Sequence, residues 1–239
     1  MSEVGGRNGG PGAASTARPH GRRRPDLDRT FTRQDSTLSS DAIQRAKQLR
    51  RNGVRVILVT GRPERELALH ALQGCFDRIV LEGGAVWGKP GRWVIPVPPV
   101  ALSQAAAVLE SRGHEVRSAS ASFSVTSNAE TDLSAFSAAL AWRRNRERID
   151  VTPPGVGKAT GLQMALKDLG VADAWVLAIG DGLNDVPLLQ SASVGVAVAN
   201  AEPELLAVAH IRAPHPAHRG FLWAVSRLGH GTRPEEARK

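Results

Sequence analysis

The chain has 239 residues and carries 31 Lys and Arg against 23 Asp and Glu, a formal net charge of +8. The surplus is uneven, with +4 in residues 1–25, +2 in residues 227–239 and +2 over everything between. A body so close to charge balance lacks the electrostatic footprint of a nucleic-acid binder; the single Cys75 excludes an internal disulfide, and no apolar run approaches membrane-spanning length. A reducing, cytoplasmic setting is therefore expected.

Residues 1–24 are rich in Gly, Arg, Ser and Ala and have no apolar stretch of the kind a secretory signal needs, so a disordered basic tail is expected. Asp26-Leu27-Asp28-Arg29-Thr30 follows, where an extended backbone would set both carboxylates on one side. Ser39 or Ser40 can cap a helix carrying Ile43, Ala46 and Leu49 on one face and stopped by Gly53. Val54–Val59 reads as a strand ending in Thr60-Gly61-Arg62-Pro63, Glu64–Leu72 as a helix, and Arg78–Leu81 as a second strand closed by Glu82-Gly83-Gly84.

The pattern then changes. Trp93–Val97 reads as a strand, Val100–Ser111 as a helix and Glu115–Thr126 as an extended Ser-rich segment; a helix from Leu133 to about Arg144 and a strand over Arg148–Val151 complete this stretch. Trp87 and Trp93 flank an expected hairpin at Gly88-Lys-Pro-Gly91, and would either pack in the insert or line its substrate side. A helix over Lys158–Leu169 ended by Gly170, strands at 175–179 and 194–198, and helices at 203–209 and about 219–228 resume the first pattern. Alternating β and α elements imply a Rossmann-like parallel sheet core flanked by helices. The expected domains are a core formed by 25–85 and 153–229, a small inserted α/β cap at 86–152, and a disordered tail at 230–239.

The chemistry concentrates in Trp175–Asp185, where an apolar run ends in Gly180-Asp-Gly-Leu-Asn-Asp185. Buried parallel strands present ligand-binding groups at their carboxyl ends, so Asp181 should face a crevice. Asp185 follows near the start of a helix opened by Pro187. Like charges held close repel unless a cation or a proton intervenes, and Mg²⁺, a hard ion that prefers oxygen ligands, is the simplest explanation. Thr60 ends a strand as Asp181 does, and its hydroxyl can donate to a phosphate oxygen. Lys158 opens a helix after a Pro- and Gly-rich turn, where its ammonium and the exposed N–H groups can face an anion.

Asp26-Leu-Asp-Arg-Thr30, Thr60-Gly61-Arg62, Lys158 within Gly155–Leu162, and Gly180–Asp185 occur in an order and spacing that resemble the four motifs of the haloacid dehalogenase superfamily, in the branch with a large α/β cap (Cof-like and sucrose-phosphatase-like). The resemblance implies a Mg²⁺-dependent phosphatase acting on a small phosphorylated metabolite such as a sugar phosphate, phosphoglycolate or a glycosyl-phosphoglycerate. It implies Asp26 as nucleophile, Asp28 as general acid and base, Thr60, Gly61 and Lys158 at the phosphoryl oxygens, and Mg²⁺ held by Asp26, the backbone carbonyl of Asp28 and Asp181, with Asp185 completing or orienting the shell. Asn184 would orient Asp181 or the phosphate loop, or serve only as a turn former.

Three positions depart from the family pattern. Arg29 stands where Gly is usual, Gly83 where Asn is usual, and Pro19–Pro25 is charged where an apolar central strand is usual. The first and third motivate one alternative to hydrolysis, a catalytically impaired binding or regulatory protein; the resemblance implies a second, a phosphomutase, because a related cap occurs in phosphomutases and the first half-reaction is shared. Outside the motifs, His210, His215 and His218 are metal-like in composition but sit in a Pro-rich setting that suits a loop, and Arg143, Arg144, Arg146 and Arg148 either attract a second anionic group or form a solvated face.

Overall fold

The computed structural model describes residues 31–32, 37–145 and 147–228. Asp26, Asp28, Arg29, Arg146, the segment 19–25 and both expected tails lie outside the described residues. The first described helix, α1 (Ser40–Arg51), is capped by Ser39, whose hydroxyl accepts from Ala42 N at 3.3 Å. It ends as Gly53 takes φ +84° and the Gly53 and Val54 N–H groups bond back to Arg50 O and Leu49 O. That pairing satisfies carbonyls the helix end would otherwise leave open, and needs a residue at ease in the left-handed region.

Strand β1 (Ile57–Val59) pairs in parallel with β2 (Arg78–Leu81). Between them the expected helix 64–72 is absent: only Glu64–Glu66 makes a helical turn, followed by further turns to Cys75. Pro63 opens this stretch and Gly74, at φ +78°, closes it. The hairpin β3 (Val86–Lys89) and β4 (Arg92–Val94) extends this sheet antiparallel from β2. It was expected at the head of the inserted cap, but its backbone belongs to the core sheet, and Trp93 packs against the core cluster around Leu81 and Val86.

The insert's own apolar core begins beyond that hairpin. Helix α2 (Val100–Ser111), the single turn α3 (Glu130–Leu133) and the helical turns beside it cover one face of a four-stranded antiparallel sheet. In that sheet β5 (Val116–Ser118), β6 (Phe123–Thr126), β8 (Arg148–Thr152) and β7 (Ala141–Asn145) lie side by side. Leu102, Ala105, Leu109, Phe123, Val125, Leu133, Ile149 and Val151 form its core. Two expectations are corrected here. The stretch 115–126 is a hairpin whose turn falls at 119–122, and 141–145 is a strand rather than the end of a helix. Trp142 and the Arg pair after it alternate across a pleat, and cross-strand pairing with β8 overrides the helical propensity of Leu133–Leu140.

Helix α4 (Lys158–Asp168) leads back into the core and ends at Gly170, φ +70°, with the same pair of return bonds as α1. Strands β9 (Leu177–Gly180), β10 (Val194–Ala197) and β11 (Ile211–Arg212) form a second parallel sheet. Helices α5 (Val186–Ser191), α6 (Pro203–Val208) and α7 (Ala217–Leu228) complete the described chain. Every residue of β10 is buried, as expected of an apolar run covered on both faces. Among the described residues no strand joins β1 to β9. An apolar cleft of about 390 Å³ lies there, lined by Ile57, Leu58, Val59, Leu177, Ala178 and Ile179. No described helix is long and apolar enough to cross a membrane.

Candidate active site

The carboxyl ends of β1 and β9 open onto one cavity of about 630 Å³, roofed by the insert. Gly61, Lys158, Asp181, Gly182 and Asn184 line its floor. Thr60, fully buried at the end of β1, sits just beneath: its N–H donates to Val80 O at 2.9 Å and its hydroxyl accepts from Arg62 N at 3.2 Å. These bonds hold the 60–62 turn, so that Gly61 faces the insert. A Cβ on Gly61 would lie 3.2 Å from Asp150 Oδ2, so a side chain here would press on the insert.

Lys158 is buried at the start of α4, and its ammonium donates to Asp185 Oδ1 at 2.6 Å. The other oxygen of Asp185 accepts from Asp181 N and Gly182 N at 3.0 and 3.1 Å. Asp185 therefore closes the turn after β9 and holds Lys158 against it. A charge at the end of a flexible stem is fixed by a partner that is itself fixed by backbone. Close packing reinforces this: a Cβ on Gly180 would fall 2.7 Å from Asp185 Cβ. Asp181, 4% exposed, presents a carboxylate at the cavity floor; its chemistry suits a hard cation.

Residues that the sequence reading did not select complete the site. Glu82, buried and at φ +53°, joins three parts of the molecule. Its N–H donates to Arg62 O at 3.0 Å, while its carboxylate accepts from Ser120 N, Ala121 N and the Ser122 hydroxyl at 3.0, 2.8 and 3.0 Å. The motif turn and the insert's hairpin turn are thereby tied to one side chain. Gly83 beside it takes φ +65°, a left-handed conformation that Gly and Asn both tolerate, so its departure from the family pattern leaves the turn intact. Gly84 brings the chain so close that a Cβ would stand 2.0 Å from Gly157 O, just ahead of Lys158.

From the insert, Asp150 accepts from Asn145 at 2.9 Å and from Asn184 of the core at 3.3 Å. Asn184 thus bridges to the cap, a role beyond a turn former. Only a period-two reading of 141–152 as two paired strands would have singled out Asp150 and Asn145, and a helix was expected over the first of them. Among the four arginines considered earlier, Arg148 lines the cavity, Arg144 pairs with the exposed Glu130, and Arg143 is exposed. His210 accepts from Gly195 N at 2.9 Å, a structural contact, and no group of three or more His, Cys, Asp or Glu fit for a metal occurs among the described residues.

A family model described as haloacid dehalogenase-like hydrolase matches residues 25–86 and 125–225, well over half of the chain. A phosphoglycolate phosphatase of Methanothermobacter thermautotrophicus is 28% identical over 227 residues, covering 85% of this chain and 96% of that protein. A chloroplastic endoribonuclease YBEY of Arabidopsis thaliana is 43% identical over 65 residues, but the match spans 27% of this chain and only 11% of that protein. Similarly, a match to the stress response protein YhaX of Bacillus subtilis spans 26% of that protein. Among solved structures, a haloacid dehalogenase-like hydrolase from B. subtilis superposes with a TM-score of 0.73 at 16% identity, over 87% of this chain and 98% of that one, which supports the fold. Fold, motif order and family match agree, and the chain belongs to the haloacid dehalogenase-like hydrolases.

Proposed function

We propose that this protein is a Mg²⁺-dependent phosphatase that hydrolyses small phosphorylated metabolites through a phosphorylated Asp26. The supporting observation is the convergence of Gly61, Lys158, Asp181 and Asn184, from three separate chain segments, at one cavity under a polar insert, with Thr60 buried beneath. The Asp26 carboxylate attacks phosphorus and the bond to the leaving oxygen breaks, Asp28 supplying that oxygen with a proton. Water then attacks the phosphorylated Asp26, gives its proton to Asp28 and frees phosphate, returning both residues to their starting forms. Splitting one displacement into two avoids direct attack of water on a poorly activated ester.

Lys158 and the turn at Thr60-Gly61 bind the phosphoryl oxygens, balancing charge while an anionic nucleophile meets an anionic ester. Mg²⁺, if held by Asp26, the backbone carbonyl of Asp28 and Asp181, would supply further charge neutralisation for that approach. Asp185 serves as the orienting group, since its oxygens are engaged by Lys158 and two backbone N–H groups. The insert excludes water and selects the leaving group through the residues on its polar face.

The test is phosphate release from an aryl phosphate with Mg²⁺ or with chelator, alongside Asp26→Asn and Asp181→Ala. Mg²⁺-dependent release that falls at least about 10³-fold in Asp26→Asn is expected. Folded protein that binds phosphate esters but releases none would replace hydrolysis with the binding-protein reading, and phosphoryl transfer to a second sugar hydroxyl without net release would replace it with the mutase reading.

A further inference from the structure

The roof of the cavity is lined by charged side chains of the insert. Strand register sets Arg117, Ser124 and Asp150 abreast across β5, β6 and β8, with Arg148 two residues along from Asp150 on the same face. That is the face opposite the insert's apolar core, because Val116, Val125 and Ile149 alternate with these residues. Arg117, Ser124, Asp150 and Arg148 all line the cavity, and from the core side Arg62, Arg65 and Glu66 join them.

The guanidinium groups are held in place. Arg148 donates from Nε to the Ser124 hydroxyl at 3.1 Å and from Nη2 to Ser124 O and Glu115 O at 2.7 and 3.0 Å. Arg117 donates from both Nε and Nη2 to Glu115 Oε1 at 2.8 and 2.6 Å. Arg65, from the loop after β1, reaches across to Ser118 O at 2.7 Å. Three cations thus gather around one short strand, with Glu66, Asp150 and Glu115 as neighbouring anions, and Glu115 Oε1 also lies 3.5 Å from Arg148 Nη1, between the two arginines. Burial, and next the charge of Arg117, push the Arg148 guanidinium below its ordinary pKa. Desolvating one cation beside another is unfavourable, and an arriving anion relieves it. Rigid guanidinium groups also lose little freedom on meeting a carboxylate or phosphate.

We propose that the ester's leaving group carries a second anionic group, a carboxylate or another phosphate, received at the roof by Arg117 and Arg148 with Arg65 beside them. The assignment rests on the phosphatase reading for its reaction but makes a separate statement about binding. The phosphoryl end lies over Lys158 and Asp181, and the second anion lies under β5.

Two measurements test it. In the first, kcat/KM is compared for phosphoglycolate, a sugar bisphosphate and glycerol 3-phosphate, whose leaving group carries no charge. A preference of about 10–100-fold for one of the doubly anionic esters is expected, and the ratio should collapse towards one in Arg117→Gln, recover in part in Arg117→Lys, and stay at the parent value in Arg144→Gln. Arg117 is half-exposed, so this variant should fold; Arg148→Gln is the second variant, read with its thermal midpoint because Arg148 also braces β5 and β6. Whether phosphoglycolate or the bisphosphate shows the preference identifies the second anion as carboxylate or phosphate. Equal kcat/KM for all esters, or equal losses on all of them in Arg117→Gln, overturns the proposal.

The second measurement is calorimetric binding of phosphonoacetate against methylphosphonate, which needs no turnover. Tighter phosphonoacetate binding that weakens in Arg117→Gln supports the roof site even if no ester is hydrolysed, in which case the phosphatase reading alone fails. If no ester is hydrolysed and phosphonoacetate binds no tighter than methylphosphonate, the roof site is refuted.

Discussion

Glu82 offers the most direct perturbation of the link between core and cap. Its carboxylate accepts from two backbone N–H groups and one hydroxyl of the insert while its own N–H is spent on the Thr60–Arg62 turn. Replacing it by Ala leaves Ser120 N and Ala121 N without these partners at a buried site. Each such donor costs about 1–3 kcal/mol, and the relief of a buried carboxylate offsets part of the sum, so a net loss of about 3 kcal/mol is expected. In a chain of this size that is roughly 6–12 °C in Tm. Ala retains the φ +53° backbone, a conformation that costs a residue with a Cβ about 1–2 kcal/mol, so Glu82→Gly should be about 1 kcal/mol less damaging than Glu82→Ala despite losing the same bonds. Gln keeps the shape but puts an amide donor against donors and should fall between parent and Ala. Urea denaturation of the four proteins, with limited proteolysis at 119–122 and KM for an aryl phosphate, would measure the effect. A Glu82→Ala protein within about 0.5 kcal/mol of the parent, cut no faster at that turn, would refute the view that this side chain fastens the insert.

Lys158→Met should cost about 3–5 kcal/mol, because it leaves Asp185 buried without its ammonium; adding Asp185→Asn should recover part of that loss, which a double-mutant cycle by chemical denaturation would show. Gly84→Ala places a Cβ 2.0 Å from Gly157 O at φ +111°, and is expected to cost about 3 kcal/mol or more in the same assay, whereas Gly91→Ala, with open space around it, should cost only about 1 kcal/mol for its positive φ. Burial of Asp77 would raise its pKa, but bonds from Val56 N–H and Arg50 outweigh burial and hold the carboxyl below its ordinary 3.8. A depressed carboxylate contributes stability that is complete above its ordinary pKa and is lost as pH falls through the folded value. Asp77→Asn should therefore lower stability near neutral pH by about 1.5–3 kcal/mol and flatten its decline below about pH 4, as followed by thermal unfolding across pH.

The residues themselves determined the parts that depend on local chemistry. Ser39, Gly53 and Gly170 set helix ends because capping and left-handed φ are properties of single residues. The apolar runs at 79–81 and 194–197 suit buried strands, and the carboxylate-rich turn after 177–180 marked the mouth of the sheet. Thr60, Gly61, Lys158, Asp181, Asn184 and Asp185 were legible in this way, since motif order and spacing are linear features.

Partnership across the fold was not legible. Residues 141–145 carry no dominant period, and they form a strand only because β8 is there to pair with them. The hairpin at 86–94 joined the core rather than the insert because β2 offered it a free edge. Glu82 and Asp150 look like ordinary surface acids until the insert folds over β1 and β9, bringing Ser120, Ala121 and Asn184 within hydrogen-bonding distance. Only that long-range closure decided which carboxylates fasten the roof, which arginines it turns inward, and that Asp185 is held by Lys158 rather than facing the cavity alone. The free energy of such contacts comes from desolvation and fixed geometry, and neither exists before the chain is folded.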